Sequence, residues 1–148
     1  MDKNYIVNGL LGGVLPVLAI SGAGAATIKT TNAYTVKIDG AVSAVAAATL
    51  AAIPATVTVP LVSTSSIGIY VNAAGTASYV QGTTVTNASL AANTIYSTNL
   101  LPGEVPGKAL IGWAIIKCAS AVTFTGGTTL LDAANLTVTY LDKPALSL

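Results

Sequence analysis

The sequence predicts an all-β fold: an antiparallel β-sandwich or small, jelly-roll-like β-barrel, preceded by a Gly-rich extended N-terminal arm. Short runs of alternating apolar and polar residues recur along the chain. Asp-Gly, Asn-Ala-Ala-Gly and Gly-Gly turn signals stand between them. The 148 residues suit a single domain that buries a core without covalent staples.

The first stretch is "MDKNYIVNGLLGGVLPVLAISGAGAATIKT". Lys3, the apolar residues 14–20 and the small residues Gly22, Ala23, Gly24 and Ala25 follow the plan of a secretory signal. Asp2 cancels Lys3, and Asn8, Gly9, Gly12, Gly13 and Pro16 interrupt the apolar run. The same interruptions argue against a membrane helix, which needs about 20 mainly apolar residues. Residues 1–26 therefore read as an arm that follows another protein's surface, and 27–148 as the β-rich domain.

In "AYTVKIDGAVSAV" the Asp39-Gly40 pair sits between alternating runs, as in a two-residue hairpin. Tyr34, Val36 and Ile38 share one face; Thr35 and Lys37 take the other. The alanines at 44–52 are open between a short helix and irregular chain, and 56–60 alternates as a strand. "SIGIYVNAAGTASYVQGTT" is a second hairpin, turning at "NAAG" and returning over 76–81. Residues 83–99 read as a polar loop. Residues 109–117 are a strand with two apolar faces: Leu110, Gly112, Ala114 and Ile116 on one, Ile111, Trp113 and Ile115 on the other. The chain closes with a strand at 122–125, a Gly-Gly turn, a bend at 132–135 and a strand at 136–141.

The stretch "GEVPGKALIGWAIIK" superficially resembles a phosphate-binding loop. That motif is G-x-x-x-x-G-K-[ST] at the start of a helix. Here one spacer is missing, Ala109 replaces the hydroxyl residue, Glu104 and Pro106 occupy the cradle, and a strand follows. Nucleotide binding is excluded on those grounds. The chain has no histidine and one cysteine, which removes the usual serine triad and Cys/His zinc sites. Cys118 reads as a small buried hydrophobe. Asp132 and Asp142 flank the last strand at opposite ends, a poor catalytic pair, and a cap or turn bond accounts for Asp132. The sequons at Asn87 and Asn135 read as chance matches in an Asn/Thr/Ser-rich chain. Tyr5, Tyr34, Tyr70, Tyr79, Tyr96 and Tyr140 could line a sugar-binding face, but half-buried packing is the simpler use of tyrosine in strands. No catalytic, cofactor-binding or metal-ligating residue is assigned, and an enzyme is not expected.

Charged residues make up 7% and hydrophobic residues 53%, against about 25% charged in average soluble chains. A net charge of +1 without a basic cluster excludes nucleic acid as a partner. A surface so poor in charge favours a permanent assembly.

The pieces "GAATIKTTNAYTVKIDGAV", "IGIYVNAAGTASYVQGT", "PGKALIGWAIIK" and "FTGGTTLLDAANLTVTYLD" follow one another over residues 25–142. Their order resembles the tailed-bacteriophage head decoration (cement) and head-fibre proteins. The resemblance implies a β-rich, oligomeric virion component with no catalytic residues, and the N-terminal segment falls outside it. The expectation is a cement protein: a homotrimer on the outer capsid surface of the virion, assembled in the host cytoplasm. It would bridge subunits of the major capsid protein, without nucleic acid, membrane or cofactor. Expected capsid or subunit contacts are Tyr5, Ile6, Leu10, Leu11, Val14 and Leu15; expected core or trimer packing residues are Leu110, Trp113 and Ile115. The alternatives are a head or tail fibre domain that binds a host-surface glycan, and a secreted bacterial β-sandwich adhesin cleaved near Ala26.

Overall fold

A computed structural model describes residues 8–93 and 101–144. Tyr5, Ile6 and Tyr96 lie outside the described residues. Twelve strands and one short helix follow in order: β1 Gly9–Leu11, β2 Leu18–Ile20, β3 Ile28–Thr30, β4 Tyr34–Ile38, β5 Ala41–Val45, β6 Thr58–Val59, β7 Ser63–Val71, β8 Ala77–Gln81, β9 Val85–Thr86, α1 Asn87–Asn93, β10 Ala109–Cys118, β11 Phe124–Thr125 and β12 Leu136–Asp142.

All strand pairings are antiparallel. The larger sheet runs β12-β10-β7-β8, with β9 beside β7. The smaller runs β1-β4-β5, and β2-β3 and β6-β11 form two short ladders. β10 touches β1 and β4 of the smaller sheet, so the two sheets pack as a sandwich. The core between them draws Leu10, Val36 and Val45 from one side and Ile67, Ile69, Ile111, Ala114 and Ile116 from the other.

The two hairpins form where the turn residues place them. Asp39 and Gly40 both take positive φ, 50° and 85°, the conformation a two-residue turn needs between right-twisted strands. Tyr34, Val36 and Ile38 are buried and Thr35 and Lys37 half-buried, so the alternation reads correctly. At the second hairpin the Asn72 carboxamide oxygen accepts from Ala74 N and Thr76 N, and Gly75 turns at φ 81°.

Elsewhere the chain departs from expectation. The alanine run makes no helix; it lies along β3, where Thr30 N donates to Ala48 O and Leu50 N to Ile28 O. Leu50 and Ile53 enter the core and fasten that path. The strand expected at 56–60 is only β6, and that at 122–125 only β11, the two paired with each other. The expected polar loop instead holds β9 and α1. Thr86 caps the helix, its Oγ1 accepting from Ser89 N at 3.2 Å. The arm does not stand apart either: within 8–26, β1 pairs with β4 and β2 with β3, and Leu10 and Leu18 are core residues.

β10 is central in its sheet, but it is not regular. Its register against β7 shifts between Leu110 and Gly112. The bulge turns the chain over, so Ala109 and Ile111 share the core with Ala114, Ile116 and Cys118. The expected grouping of Leu110 with Ala114, and of Ile111 with Trp113, is corrected by this one extra residue.

Candidate functional site

The outer face of the larger sheet carries the sequence's most conspicuous stretch. There the Trp113 indole Nε1 donates to Pro102 O at 2.9 Å, and the Tyr70 hydroxyl donates to Gly103 O. Pro102 lies against Gly68, where an added Cβ would stand 3.0 Å from the proline Cβ. The prolines and glycines before β10 thus form a strap over the sheet. Leu110 is buried, and Trp113 and Ile115 are half-buried on β10.

The ionisable groups do structural work. Asp2 lies outside the described residues; the other acids each hold a contact. Asp39 Oδ1 accepts from the Asn8 amide at 3.3 Å, while Asn8 Oδ1 accepts from Asp39 N at 2.8 Å. Asp142 Oδ1 accepts from Leu18 N at 3.1 Å, and Asp132 Oδ2 from Gly24 N at 2.7 Å. Asp132 is thus bonded across the fold rather than within its own turn. Three acids clamp the N-terminal segment at successive points. Glu104 pairs with Lys143 at 3.6 Å, and the Lys108 ammonium donates to Ser78 Oγ at 2.9 Å. Among the described residues no group of three or more His, Cys, Asp or Glu could hold a metal ion.

Cys118 is fully buried, its thiol directed at Val59 O, and burial pushes its pKa up. That suppresses the thiolate a nucleophile needs. The Asn87 carboxamide accepts from Thr64 Oγ1 and donates to Cys118 O, so the first sequon's side chain is committed inside the fold. Asn135 is exposed, at φ 65° in the turn before β12. Among the described tyrosines none is exposed: Tyr34 and Tyr70 are buried, Tyr79 and Tyr140 half-buried. They form no flat aromatic platform open to a ligand.

Exposed apolar side chains stand on strands, at Val42, Val80 and Leu141, and on loops. Val14, Leu15 and Val17 stand in the loop between β1 and β2, at 52%, 37% and 42% exposure. Leu61 and Val62 stand before β7. Val17 and Val62 hold φ of 53° and 51°, a left-handed backbone that β-branched side chains resist. Hydrogen bonds hold both in place: Thr31 N donates to Pro16 O and Val17 O, and Asn87 N to Val62 O. Beside the first loop an open groove of about 490 Å³ is lined by Leu11, Val14, Tyr34, Ala44 and Val45, among others.

Of the expected contact residues, Val14 and Leu15 are exposed and Leu11 is half-buried. Leu10, 1% exposed, is a core residue and is withdrawn as a surface contact. Val17 was missed because no sequence signal marks a valine with positive φ; only the proline before it hinted at a bend. The acid clamps were missed because each joins residues far apart in sequence. No helix among the described residues is long and apolar enough to cross a membrane. Comparison with family models, with curated proteins and with solved structures finds no match to this chain.

Proposed function

We propose that this protein is a capsid decoration (cement) protein of a tailed-phage head, a homotrimer on the outer surface that bridges and stabilises major capsid subunits. The order of motifs over 25–142 carries the reading. The use of the ionisable groups accords with a structural role, since each described acid holds a contact within the fold. So does the apolar loop at Val14, Leu15 and Val17, which offers contact area without charge. A small apolar contact is weak alone. Repeated over many subunits and many sites it holds by avidity.

The glycan-binding fibre reading has less support, because Tyr34, Tyr79 and Tyr140 pack with the core and the strap at Pro102 and Gly103 covers Tyr70. Cleavage near Ala26, which the adhesin reading needs, would remove β1 and β2 and with them Leu10 and Leu18. Quantitative mass spectrometry of purified virions tests the proposal. Copies comparable in number to the major capsid protein are expected. Absence from virions rejects it, and a few copies per particle transfers support to the fibre reading.

A further inference from the structure

We propose that β1 exchanges between copies of this chain: Gly9–Leu11 of one copy pairs with β4 of the next, and residues 12–17 open as the hinge. The inference is independent of the decoration reading and concerns the free protein.

β1 is the first described element and an edge strand of the smaller sheet. Its attachment is small: among the described strands it pairs with β4 alone, packs across the sandwich on β10, sinks Leu10 into the core, and is flanked by the Asn8–Asp39 bonds. Any second copy carries the same strand, so its β1 fits the same slot with the same contacts. Exchange therefore conserves what β1 gains, and the hinge decides between the closed and exchanged forms.

The hinge favours opening. Gly12 and Val17 both sit in the left-handed region, at φ 74° and 53°. Glycine accepts this freely; valine is strained by it, and an extended hinge releases the strain. Short strained hinges promote exchange. Opening also gives up bonds, since Asn32 Nδ2 donates to Leu15 O, Thr31 N to Pro16 O and Val17 O, and Asn32 N to Pro16 O, and it exposes Pro16, which is buried in the closed form. Thr31 and Asn32 are exposed, so water replaces those bonds at little net cost.

Val14, Leu15 and Val17 point to the same occupant. In the closed form all of them face water. Two opened hinges, passing between neighbouring copies, would cover them against each other and against the wall of the groove that stays in place, at Tyr34, Ala44 and Val45. Six extended residues reach about 20 Å at ~3.3–3.6 Å each, enough to cross to an adjacent copy. The Asp142 bond to Leu18 N keeps the chain beyond the hinge at home. Because each copy gives one strand and receives one, exchange closes as a reciprocal dimer or a larger ring, a trimer included, where the rotation between copies closes, and otherwise runs on as an open filament.

The register supplies a test. Leu11 lies directly opposite Thr35, and both are half-buried. Facing strand positions have Cα separations that suit a disulfide. Two chains with different tags, one carrying Leu11→Cys and the other Thr35→Cys, are co-expressed and oxidised, with the native chain beside them as a control for Cys118. A disulfide between the two tagged chains, mapped by peptide mass spectrometry, is expected. Adding Val17→Gly to both chains should lower the linked fraction several-fold. No linkage between chains, while a single chain carrying both cysteines closes within itself, would overturn the proposal. A linked fraction unchanged by Val17→Gly would overturn the role of hinge strain.

Discussion

Tyr34 and Tyr79 are both tyrosines whose pKa burial pushes up to about 12, yet they differ in what their hydroxyls meet. The Tyr79 hydroxyl donates to Ala51 O, whereas the Tyr34 hydroxyl is buried without a partner, as is that of Tyr140. A buried donor left unpaired costs about 1–3 kcal/mol of desolvation, so deleting it sacrifices nothing if the ring's packing survives. Tyr34→Phe should leave stability unchanged or raise it by about 1 kcal/mol, and Tyr79→Phe should lower it by about 1 kcal/mol, read as denaturation midpoints. Both groups hold their proton more tightly folded than unfolded, where the hydroxyl titrates at its ordinary value of 10.0. Their contribution is therefore complete below about pH 10 and is lost as pH climbs from 10 to 12. Each Phe variant should flatten that alkaline decline. A native chain whose stability is level between pH 10 and 11.5 would contradict the assignment.

At the scale of the element, β10 shows where a residue without a side chain decides a fold. A Cβ on Gly112 would stand 2.4 Å from Leu141 O and 2.4 Å from the Leu18 Cδ1. The glycine lets the bulge form while β12 and β2 close over it. Gly112→Ala should lower stability by about 1–3 kcal/mol, the usual range for overpacking. Amides of β12 should lose hydrogen-exchange protection first. Gly22→Ala, with open space around its Cβ, should change little. The same contrast explains what could be read beforehand. Asp39-Gly40 and Asn72–Gly75 were legible because their turn chemistry is local. The strand expected at 136–141 was legible because β12 is an edge strand with one core-facing side, so Leu136, Val138 and Tyr140 alternate with Thr137, Thr139 and Leu141. The face of each β10 residue was not, because eight apolar or small residues in a row erase the alternation, although a mid-strand glycine is a known mark of a bulge. Helix α1 hid behind polar composition, its only sign being a capping threonine three residues before Ser89. Val14 and Leu15 were legible as exposed residues, whereas the burial of Leu10 was not, since it depends on a partner strand more than twenty residues away.

For the whole molecule, the scarcity of charge and the placement of the N-terminal segment are one problem. A chain with 7% charged residues has few groups to spend, and three of its acids bind backbone or carboxamide groups of residues 8–24. The segment lacks the length to hold itself: β1 and β2 are three residues each, and glycines separate them. Carboxylates supply what strand length does not, because a charged acceptor makes a stronger hydrogen bond than a neutral one. Asp132 and Asp142 act beyond the hinge, at Gly24 and Leu18. Replacing both by alanine should cost about 1 kcal/mol apiece, since each bond reaches solvent. The cost should fall on the N-terminal segment before the remaining sandwich. Limited proteolysis reads this directly: cleavage within residues 12–24 should accelerate, while the β7–β10 pairing stays protected. Asp132→Asn and Asp142→Asn retain a neutral acceptor oxygen and should recover about half of the protection. If the alanine variants are cut no faster than the native chain, the core leucines alone hold the segment. If the asparagine variants are cut as fast as the alanine ones, the negative charge matters and not the hydrogen bond. If cleavage spreads at once to the larger sheet, the N-terminal strands are a cooperative part of the sandwich, and no hinge separates them from it.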